Sequence, residues 1–181
     1  MYLQPNIESF YNIHNIGQSL YDIVIKHKPE KIIDFGILNG YSTICLAQAV
    51  RDNSFGEIIA YDLFEGYKYK HSVKEVVEYN LKYYDLEKYV ILKKMDFHYW
   101  INNYTTEFDL LHLDISNDGD IILKMYDKYP KSKVIFEGGS VERDNIEWMS
   151  KYNKTKITSI QTNCKYKIIN DAFPSLSGYN V

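Results

Sequence analysis

Short apolar segments alternate with amphipathic segments along almost the whole chain, and this alternation constrains the fold more than any other feature of the sequence. Five short segments are rich in Ile, Val, Leu and Phe, which is typical of strands buried on both faces. The predicted strands are 31–36, 57–63, 90–95, 108–115 and 133–137. The segments that follow them carry apolar residues at helical spacing. The predicted helices are 41–50, 73–84, 98–103, 118–129 and 142–152. This order predicts an α/β fold with a mostly parallel sheet.

The two ends of the chain extend the pattern. Segment 7–28 has apolar residues at helical spacing and ends before Pro29, which predicts an N-terminal helical cap over residues 1–28. Segments 166–169 and 176–181 predict two final strands. No repeat or linker divides the 181 residues, a length that suits one α/β domain. We therefore expect a single domain, 1–181, in which residues 31–181 form the core.

Composition argues against several classes of function. The formal net charge of -3 provides no basic field for nucleic acid, so we expect no such partner. No apolar run approaches the roughly 20 residues of a membrane span, and the first ten residues lack the pattern of a signal peptide, so we expect a cytoplasmic protein without a membrane partner. Cys45 and Cys164 stand in no metal-ligand spacing and are predicted to be reduced structural thiols. The 18 tyrosines leave a homodimer interface open.

A carboxylate lies at or within two residues of the end of each of the five predicted strands. These acids are Asp34, Asp62, Asp96, Asp114 and Glu137. The carboxyl ends of parallel strands meet at one edge of the sheet, where ligands bind in folds of this class. A single acid at a strand end is commonly a turn residue or a helix cap. Five of them at one edge favour a cationic or hydroxyl-rich ligand.

The loop after the first predicted strand is rich in features of a ligand-binding turn. Gly36 and Gly40 permit a tight turn that leads into a helix N-terminus, where free N–H groups attract an anion. Leu38 stands two residues after Gly36, where the dinucleotide fingerprint has glycine. Asp34, at the mouth of the loop, would also repel phosphates. A nicotinamide-dependent oxidoreductase is therefore the less favoured alternative.

The order of the acids instead suits S-adenosylmethionine, which joins an amino acid, a ribose and an adenine. Asp34 would bind the α-ammonium group, and backbone N–H groups near Gly40 would bind the α-carboxylate. Asp62 follows Gly40 by 22 residues, where an acid accepts both ribose hydroxyls. Asp96 would accept a hydrogen bond from the adenine amine. The predicted cofactor-binding residues are Asp34, Gly36, Gly40, Tyr41, Ser42, Asp62, Leu63, Asp96, Phe97 and Asp114.

Three motifs resemble those of class I S-adenosylmethionine-dependent methyltransferases. The stretch DFGILNGYST resembles their first motif, and YDLFEG is similar to their second, acidic loop. LLHLD is similar to the "HID" fourth motif of macrocin-type and related small O-methyltransferases. The resemblance covers residues 31–148 in the correct order. It implies a Rossmann-like, doubly wound sheet of seven strands in the order 3-2-1-4-5-7-6, with the last strand antiparallel and helices on both faces. It also implies methyl transfer, and we expect the acceptor to be a small hydroxylated molecule such as a sugar.

The resemblance further implies roles for the residues after the fourth and fifth strands. In metal-dependent members, carboxylates at the positions of Asp114 and Glu137 hold a divalent cation, and oxygen ligands of this kind suit Mg²⁺. Where those members have a further acid or amide, this chain has Gly138, so a reaction without a metal stays open. His112 shares a strand face with Asp114, because the two are two residues apart. We predict both as catalytic residues, His112 as a general base or else as a buried structural histidine.

Three further questions stay open at this stage. The short region after the fifth strand leaves room for a non-catalytic protein that binds S-adenosylmethionine without turning it over. Arg143 would either bind an acidic acceptor or belong to a solvated helix start. Tyr2, Tyr11 and Tyr21 would either line a lid over the cofactor or pack as ordinary amphipathic aromatics.

Overall fold

The computed structural model describes residues 1–67 and 70–181, in which seven strands form one sheet. The strands are β1 (Lys31–Phe35), β2 (Glu57–Asp62), β3 (Val90–Lys94), β4 (Leu110–Leu113), β5 (Lys133–Glu137), β6 (Lys167–Asn170) and β7 (Leu176–Tyr179). Their order is β3-β2-β1-β4-β5-β7-β6. The strands from β1 to β5 pair in parallel, and β7 is antiparallel to both of its neighbours. The predicted fold class, strand order and antiparallel last strand are confirmed.

Helices connect the strands close to where the sequence predicts them. They are α1 (Phe10–Ile13), α2 (Ile16–His27), α3 (Tyr41–Asn53), α4 (Lys74–Tyr83), α5 (Phe97–Asn103), α6 (Gly119–Lys128), α7 (Val141–Asp144) and α8 (Glu147–Lys151). Two predicted helices are each divided in two. Asn15 adopts a left-handed conformation with φ 56° between α1 and α2. Ile146 is extended, with ψ 151°, between α7 and α8. Each of these conformations interrupts the helical hydrogen-bond ladder.

Strands β1, β4, β5 and β7 are buried on both faces, as their apolar residues predict, whereas the edge strands β3 and β6 are partly exposed. Ile32 and Ile58 pack with the apolar sides of α2, α3 and α4, whereas Ile33 and Leu111 pack with those of α5 and α6. Alternate residues of one strand therefore contribute to two separate cores. Among the helices of the described ranges, not one combines the length and the apolar character needed to cross a membrane.

Both cysteines are buried and form no disulfide. Cys45 lies in the core beside α3, and Cys164 lies in the core on the opposite face of the sheet. Burial raises the pKa of the Cys45 thiol to about 12 and that of Cys164 to about 11. Structural thiols are what the sequence predicted at these positions.

Two packing relationships bring separate parts of the chain to the carboxyl edge of the sheet. In the parallel pair of β1 and β4, Asp34 lies directly beside His112. The opening segment is held against the core by α2, which packs along α3. The Tyr11 side chain of α1 thereby reaches the same edge, where its ring meets the His112 ring edge-on at 5.9 Å.

Candidate active site

A cavity of about 740 Å³ opens at the carboxyl edge of the sheet. Pockets for small molecules and cofactors are of this size, and they favour this position in α/β sheets. The predicted site residues on its wall are Gly36, Tyr41, Ser42, Asp62, Leu63, Asp96, Phe97, Asp114 and Glu137. Three other predicted site residues, Asp34, Gly40 and His112, are absent from the wall. The edge of the sheet therefore gathers most of the predicted set, but it places the remainder behind the surface.

Asp34 is fully buried, and its carboxylate is satisfied by the protein itself. Its Oδ2 accepts hydrogen bonds from Thr43 Oγ1 at 2.6 Å and from Ser42 Oγ at 3.4 Å. Its Oδ1 lies 2.7 Å from Nδ1 of His112. The predicted contact between Asp34 and an ammonium group is therefore wrong in this structure. Asp34 instead ties the start of α3 to β1 and β4, and so determines the shape of the loop between them.

His112 is equally buried, and the prediction that it acts as a base on the acceptor requires a correction. Its Nδ1 faces Asp34, and its Nε2 lies 3.4 Å from the hydroxyl oxygen of Tyr11. Tyr11 is on the cavity wall and stands between the imidazole and the cavity. The alternative that the sequence left open, a buried histidine with polar partners, is the one that the structure contains.

The two glycines of the first loop contribute through backbone conformation. Gly36 has φ +83°, and a Cβ there would overlap the backbone oxygen of Asp114, so the position admits only glycine. Gly40 is the N-cap of α3 with φ +88°, and its backbone N–H donates to the carbonyl oxygen of Ile37 at 2.7 Å, so a ligand contact at Gly40 stays a prediction. Within the described chain, no side chain caps the first turn of α3. The N–H groups of Tyr41 and Ser42 therefore point from an uncapped helix start beside the cavity, which is an arrangement that binds anions.

Asp62 has a second role that the sequence did not reveal. Its Oδ2 accepts hydrogen bonds from the backbone N–H groups of Ile37 at 2.8 Å and Leu38 at 3.2 Å. Its Oδ1 accepts one from the N–H of Phe64 at 2.7 Å. Leu38 has φ 45°, a left-handed conformation that is strained for a leucine. The Asp62 carboxylate therefore holds the loop after β1 in a strained shape while also lying on the cavity wall.

The residues after β3 form the apolar end of the cavity. Asp96 is the N-cap of α5, and its Oδ1 accepts a hydrogen bond from the backbone N–H of Tyr99 at 2.7 Å. Phe97 is buried and packs edge-on against Phe35, with ring centroids 5.3 Å apart. Leu63 lies on the same part of the wall. An apolar slot with an acid at its rim suits a heteroaromatic ring that carries an amine.

Asp114 and Tyr11 form the polar centre of the cavity. Burial raises the pKa of Asp114 well above its usual value, and the nearby carboxylates of Glu137 and Asp34 raise it further. The Arg143 guanidinium and the Tyr11 hydroxyl oppose this shift. In its ionised form, a carboxyl group whose pKa is raised is a stronger proton acceptor than an ordinary aspartate. Asp114 therefore combines access to the cavity with the chemistry of a general base.

The contact of Tyr11 with this centre was not predicted from the sequence. Tyr11 and His112 are 101 positions apart, and no motif connects them. The helical spacing of the opening segment indicates which residues face the core, but not which part of the core they reach. Tyr11 was considered as a lid residue or an amphipathic aromatic, whereas the structure buries it against the acids of the site.

The donor set around Asp114 does not fit Mg²⁺. The described residues contain no group of three or more His, Cys, Asp or Glu side chains that could hold a metal ion. Arg143 occupies the carboxylate of Glu137, donating to the same Oε1 from Nε at 2.9 Å and from Nη2 at 2.6 Å. Mg²⁺ requires six oxygen ligands in octahedral geometry. The predicted metal site at Asp114 and Glu137 is therefore corrected, because one of its two carboxylates already has a cation.

The outer part of the cavity has aromatic and basic walls. Trp148, Tyr152 and Lys154 lie on one side of it, and Phe10 and Ile13 of the opening segment lie on another. The Nζ of Lys154 is 5.6 Å from the centre of the Trp148 ring. Phe10 and Ile13 are 67% and 72% exposed, which is unusual for apolar residues beside a cavity. Aromatic faces next to polar groups are typical of a binding site for a second small molecule.

Comparison with known proteins agrees with this geometry. A family model for the methyltransferase domain matches residues 33–145, which is more than half of the chain. A search of curated proteins found no match.

Three solved structures illustrate the similarity of the fold. Cofactor-bound Rv0187 from MTB matches with a TM-score of 0.66 and 14% identity, over 97% of this chain and 82% of that one. The O-methyltransferase TomG of Streptomyces achromogenes is involved in tomaymycin synthesis and was solved with SAM. It matches with a TM-score of 0.61 and 13% identity, over 91% of this chain and 78% of that one. The SAH-bound methyltransferase PaMTH1 of Podospora anserina matches with a TM-score of 0.60 and 13% identity, over 90% of this chain and 76% of that one. At these identities the likeness concerns the fold.

Proposed function

The chain belongs to the methyltransferase-domain family, within the class I S-adenosylmethionine-dependent methyltransferases, and on this premise we propose that it transfers a methyl group from S-adenosylmethionine to a hydroxyl of a small acceptor such as a sugar. The observation that carries the proposal is a single cavity with three different surfaces. The uncapped start of α3, the carboxylate of Asp62 and the side chain of Phe97 all line it, and they suit the amino acid, the ribose and the adenine of the cofactor in turn.

The cofactor half of the cavity uses backbone groups and two acids. The N–H groups of Tyr41 and Ser42 bind the α-carboxylate at the start of α3. Asp62 has one remaining lone pair on Oδ1 after its contact with Phe64, and this oxygen accepts a ribose hydroxyl. Oδ2 of Asp96 accepts a hydrogen bond from the adenine amine, while Phe97 packs against the adenine ring. Because Asp34 is buried, the α-ammonium group is left to backbone carbonyls of the first loop.

The reacting half of the cavity needs to position an acceptor and remove its proton. Bound S-adenosylmethionine supplies a methyl group on a positively charged sulfur. When the methyl group is transferred, the sulfur becomes a neutral thioether, which is a good leaving group. Asp114 accepts the proton of the acceptor hydroxyl, and its raised pKa suits this role. Tyr11 acts as a positioning residue, because its hydroxyl is placed between Asp114 and His112 and orients the carboxylate. The walls of the cavity keep water from the reacting oxygen.

The outer wall supports a hydroxylated ring as the acceptor. Trp148 and Tyr152 offer aromatic faces, onto which the apolar face of a sugar stacks while its hydroxyls meet polar groups. Asp114 and Glu137 also line the cavity, and their carboxylate oxygens accept hydrogen bonds from hydroxyls. An aromatic alcohol would use the same stacking surface, so both classes belong in the test.

The proposal is tested in two stages. Calorimetry with S-adenosylhomocysteine, the demethylated product, measures cofactor binding without turnover, and NADH is the control ligand. Methyl transfer is then measured with a panel of sugars and phenols. Saturable binding of S-adenosylhomocysteine and turnover of one acceptor class are expected. Binding without turnover of any acceptor would favour a non-catalytic cofactor-binding protein. Binding of NADH alone would favour the oxidoreductase alternative, and indifference to both ligands would remove the proposal.

A further inference from the structure

The ion pair between Arg143 and Glu137 lies at the place where a divalent cation would be expected from the family resemblance. Both donated hydrogen bonds reach one carboxylate oxygen, at 2.9 and 2.6 Å. The side chains of Arg143 and Glu137 are only 12% and 14% exposed, so water screens the pair weakly. A guanidinium keeps its proton at every accessible pH, so its positive charge is permanent.

Two further contacts hold Arg143 in place. Its backbone N–H donates to Oγ of Ser140, the N-cap of α7, at 3.2 Å. Its guanidinium carbon lies 5.7 Å from the centre of the Trp148 ring, within the range of a cation–π contact. The guanidinium is therefore held by Glu137 and by an aromatic face that lines the cavity, while the backbone of Arg143 is tied to the start of α7.

The residues that follow Glu137 leave no space for additional metal ligands. Gly138 and Gly139 have φ +97° and +95°, conformations that favour glycine. A Cβ on Gly138 would overlap the amide oxygen of Asn117, and one on Gly139 would overlap the hydroxyl of Ser177. The loss of side-chain ligands after β5 is thus built into the packing of the loop, and a substitution could not simply restore them.

The negative charges around the cavity also explain why a cation at the position of Arg143 is favourable. The carboxylates of Glu137 and Asp34 lie close enough to Asp114 to raise the cost of ionising it. Arg143 is the cation that acts on Asp114 in the opposite direction. In a metal-dependent active site, this compensation comes from the bound ion.

We propose that Arg143 is a built-in replacement for the divalent cation: it occupies and orients Glu137, excludes Mg²⁺ from the acid pair, and leaves Glu137 to bind an acceptor hydroxyl. The activity arm of this inference rests on the proposed methyl transfer, whereas the metal-binding arm does not. Glu137 Oε1 is taken by Arg143, and the remaining oxygen Oε2 is the one that accepts the acceptor hydroxyl.

The decisive experiment titrates Mn²⁺ alone into the purified protein and follows binding by calorimetry and by the loss of free-ion signal in electron paramagnetic resonance. Wild type is expected to show no saturable binding below millimolar concentrations. Arg143→Met keeps a long apolar stem against Trp148 but removes the charge, and it should gain saturable binding at least tenfold tighter than that of wild type. Arg143→Lys is the matched control that keeps the charge, and it should resemble wild type. Glu137→Gln added to Arg143→Met should abolish the gained binding.

Two results would overturn the inference. One is tight Mn²⁺ binding by wild type. The other is an absence of binding in both wild type and a folded Arg143→Met protein, since the guanidinium would then not be what excludes the ion. If Arg143→Met does not fold, turnover of wild type with EDTA against Mg²⁺ decides the question: equal rates support the inference, and stimulation by Mg²⁺ overturns it. If no acceptor is turned over at all, the proposed function fails, while the Mn²⁺ titration of wild type still tests the metal site.

Discussion

Replacing Asp62 by asparagine tests whether this carboxylate supports cofactor binding, both through the shape of the loop after β1 and through the ribose. Asparagine has the same shape as aspartate, but it carries no charge and one of its oxygens becomes an NH₂ group. The Asp62 carboxylate accepts three backbone hydrogen bonds, two on Oδ2 and one on Oδ1. Whichever way the amide is placed, at least one backbone N–H then faces a donor. The loop that contains Leu38, with φ 45°, therefore loses part of what holds it.

The size of the effect follows from the number and kind of bonds that change. A hydrogen bond to a charged group contributes about 1.5–3 kcal/mol. Loss of one such bond to the ligand or to the loop therefore weakens binding by about 10- to 150-fold, because each 1.4 kcal/mol corresponds to roughly a factor of ten in Kd. We expect Asp62→Asn to weaken S-adenosylhomocysteine binding within this range. The reason is that the loop shape and the ribose contact depend on the same carboxylate.

Glu65→Gln is the matched control for this measurement. Glu65 follows the same strand, but its side chain is 55% exposed and is paired with Lys94 at 2.7 Å, away from the cavity. An exposed pair of this kind contributes about 0–1 kcal/mol, so cofactor affinity should be unchanged. Isothermal titration calorimetry gives both Kd values, and circular dichroism verifies that each variant is folded. An affinity for Asp62→Asn within twofold of wild type, in a folded protein, would refute the assignment of Asp62 to both the loop and the ribose.

Four further outcomes test the reacting end and the core. Asp114→Asn should lower kcat by about 10²–10⁴-fold, as expected for loss of a general base, with S-adenosylhomocysteine affinity nearly intact; normal turnover would exclude the role. The same variant should raise Tm at neutral pH but hardly at pH 4. Folding raises the pKa of Asp114, so this carboxyl lowers the stability of the folded protein as pH rises above its unfolded pKa of about 4, and asparagine removes that effect. Tyr11→Phe should lower kcat by about 2- to 12-fold with little change in cofactor Kd, since a lost positioning hydrogen bond is worth about 0.5–1.5 kcal/mol; an equal loss in a Tyr21→Phe control would point to a general packing effect. Cys45 and Cys164 should resist an aromatic disulfide reagent at pH 8 in the native protein and react on unfolding, because burial raises both thiol pKa values to about 11 or above; rapid native labelling would contradict their burial.

The sequence alone determined the framework of this protein. Apolar segments of strand length alternating with helical periodicity specify an α/β sheet, because the central strands are buried on both faces and each helix on one. The glycine loop and the acid after each strand indicate the binding edge, because parallel strands all end there. Both inferences depend on local spacing, which the order of residues records directly.

The role of each acid depends on its neighbours in the folded chain. Asp34 and Asp62 are similar in sequence, since each stands at the end of a predicted strand. Thr43 and His112 satisfy Asp34 inside the protein, whereas Asp62 reaches the cavity wall. Strand periodicity states which face a side chain is on, but not which neighbours occupy its lone pairs.

The contacts of Tyr11 with the buried acids and of Arg143 with Glu137 likewise depend on the packing of segments whose relative placement no local pattern encodes. The physical reason is that a hydrogen-bond partner is chosen by distance and burial in the folded chain. The spacing of residues along the sequence limits which hydrogen-bond partners are possible, but it does not specify which of them form.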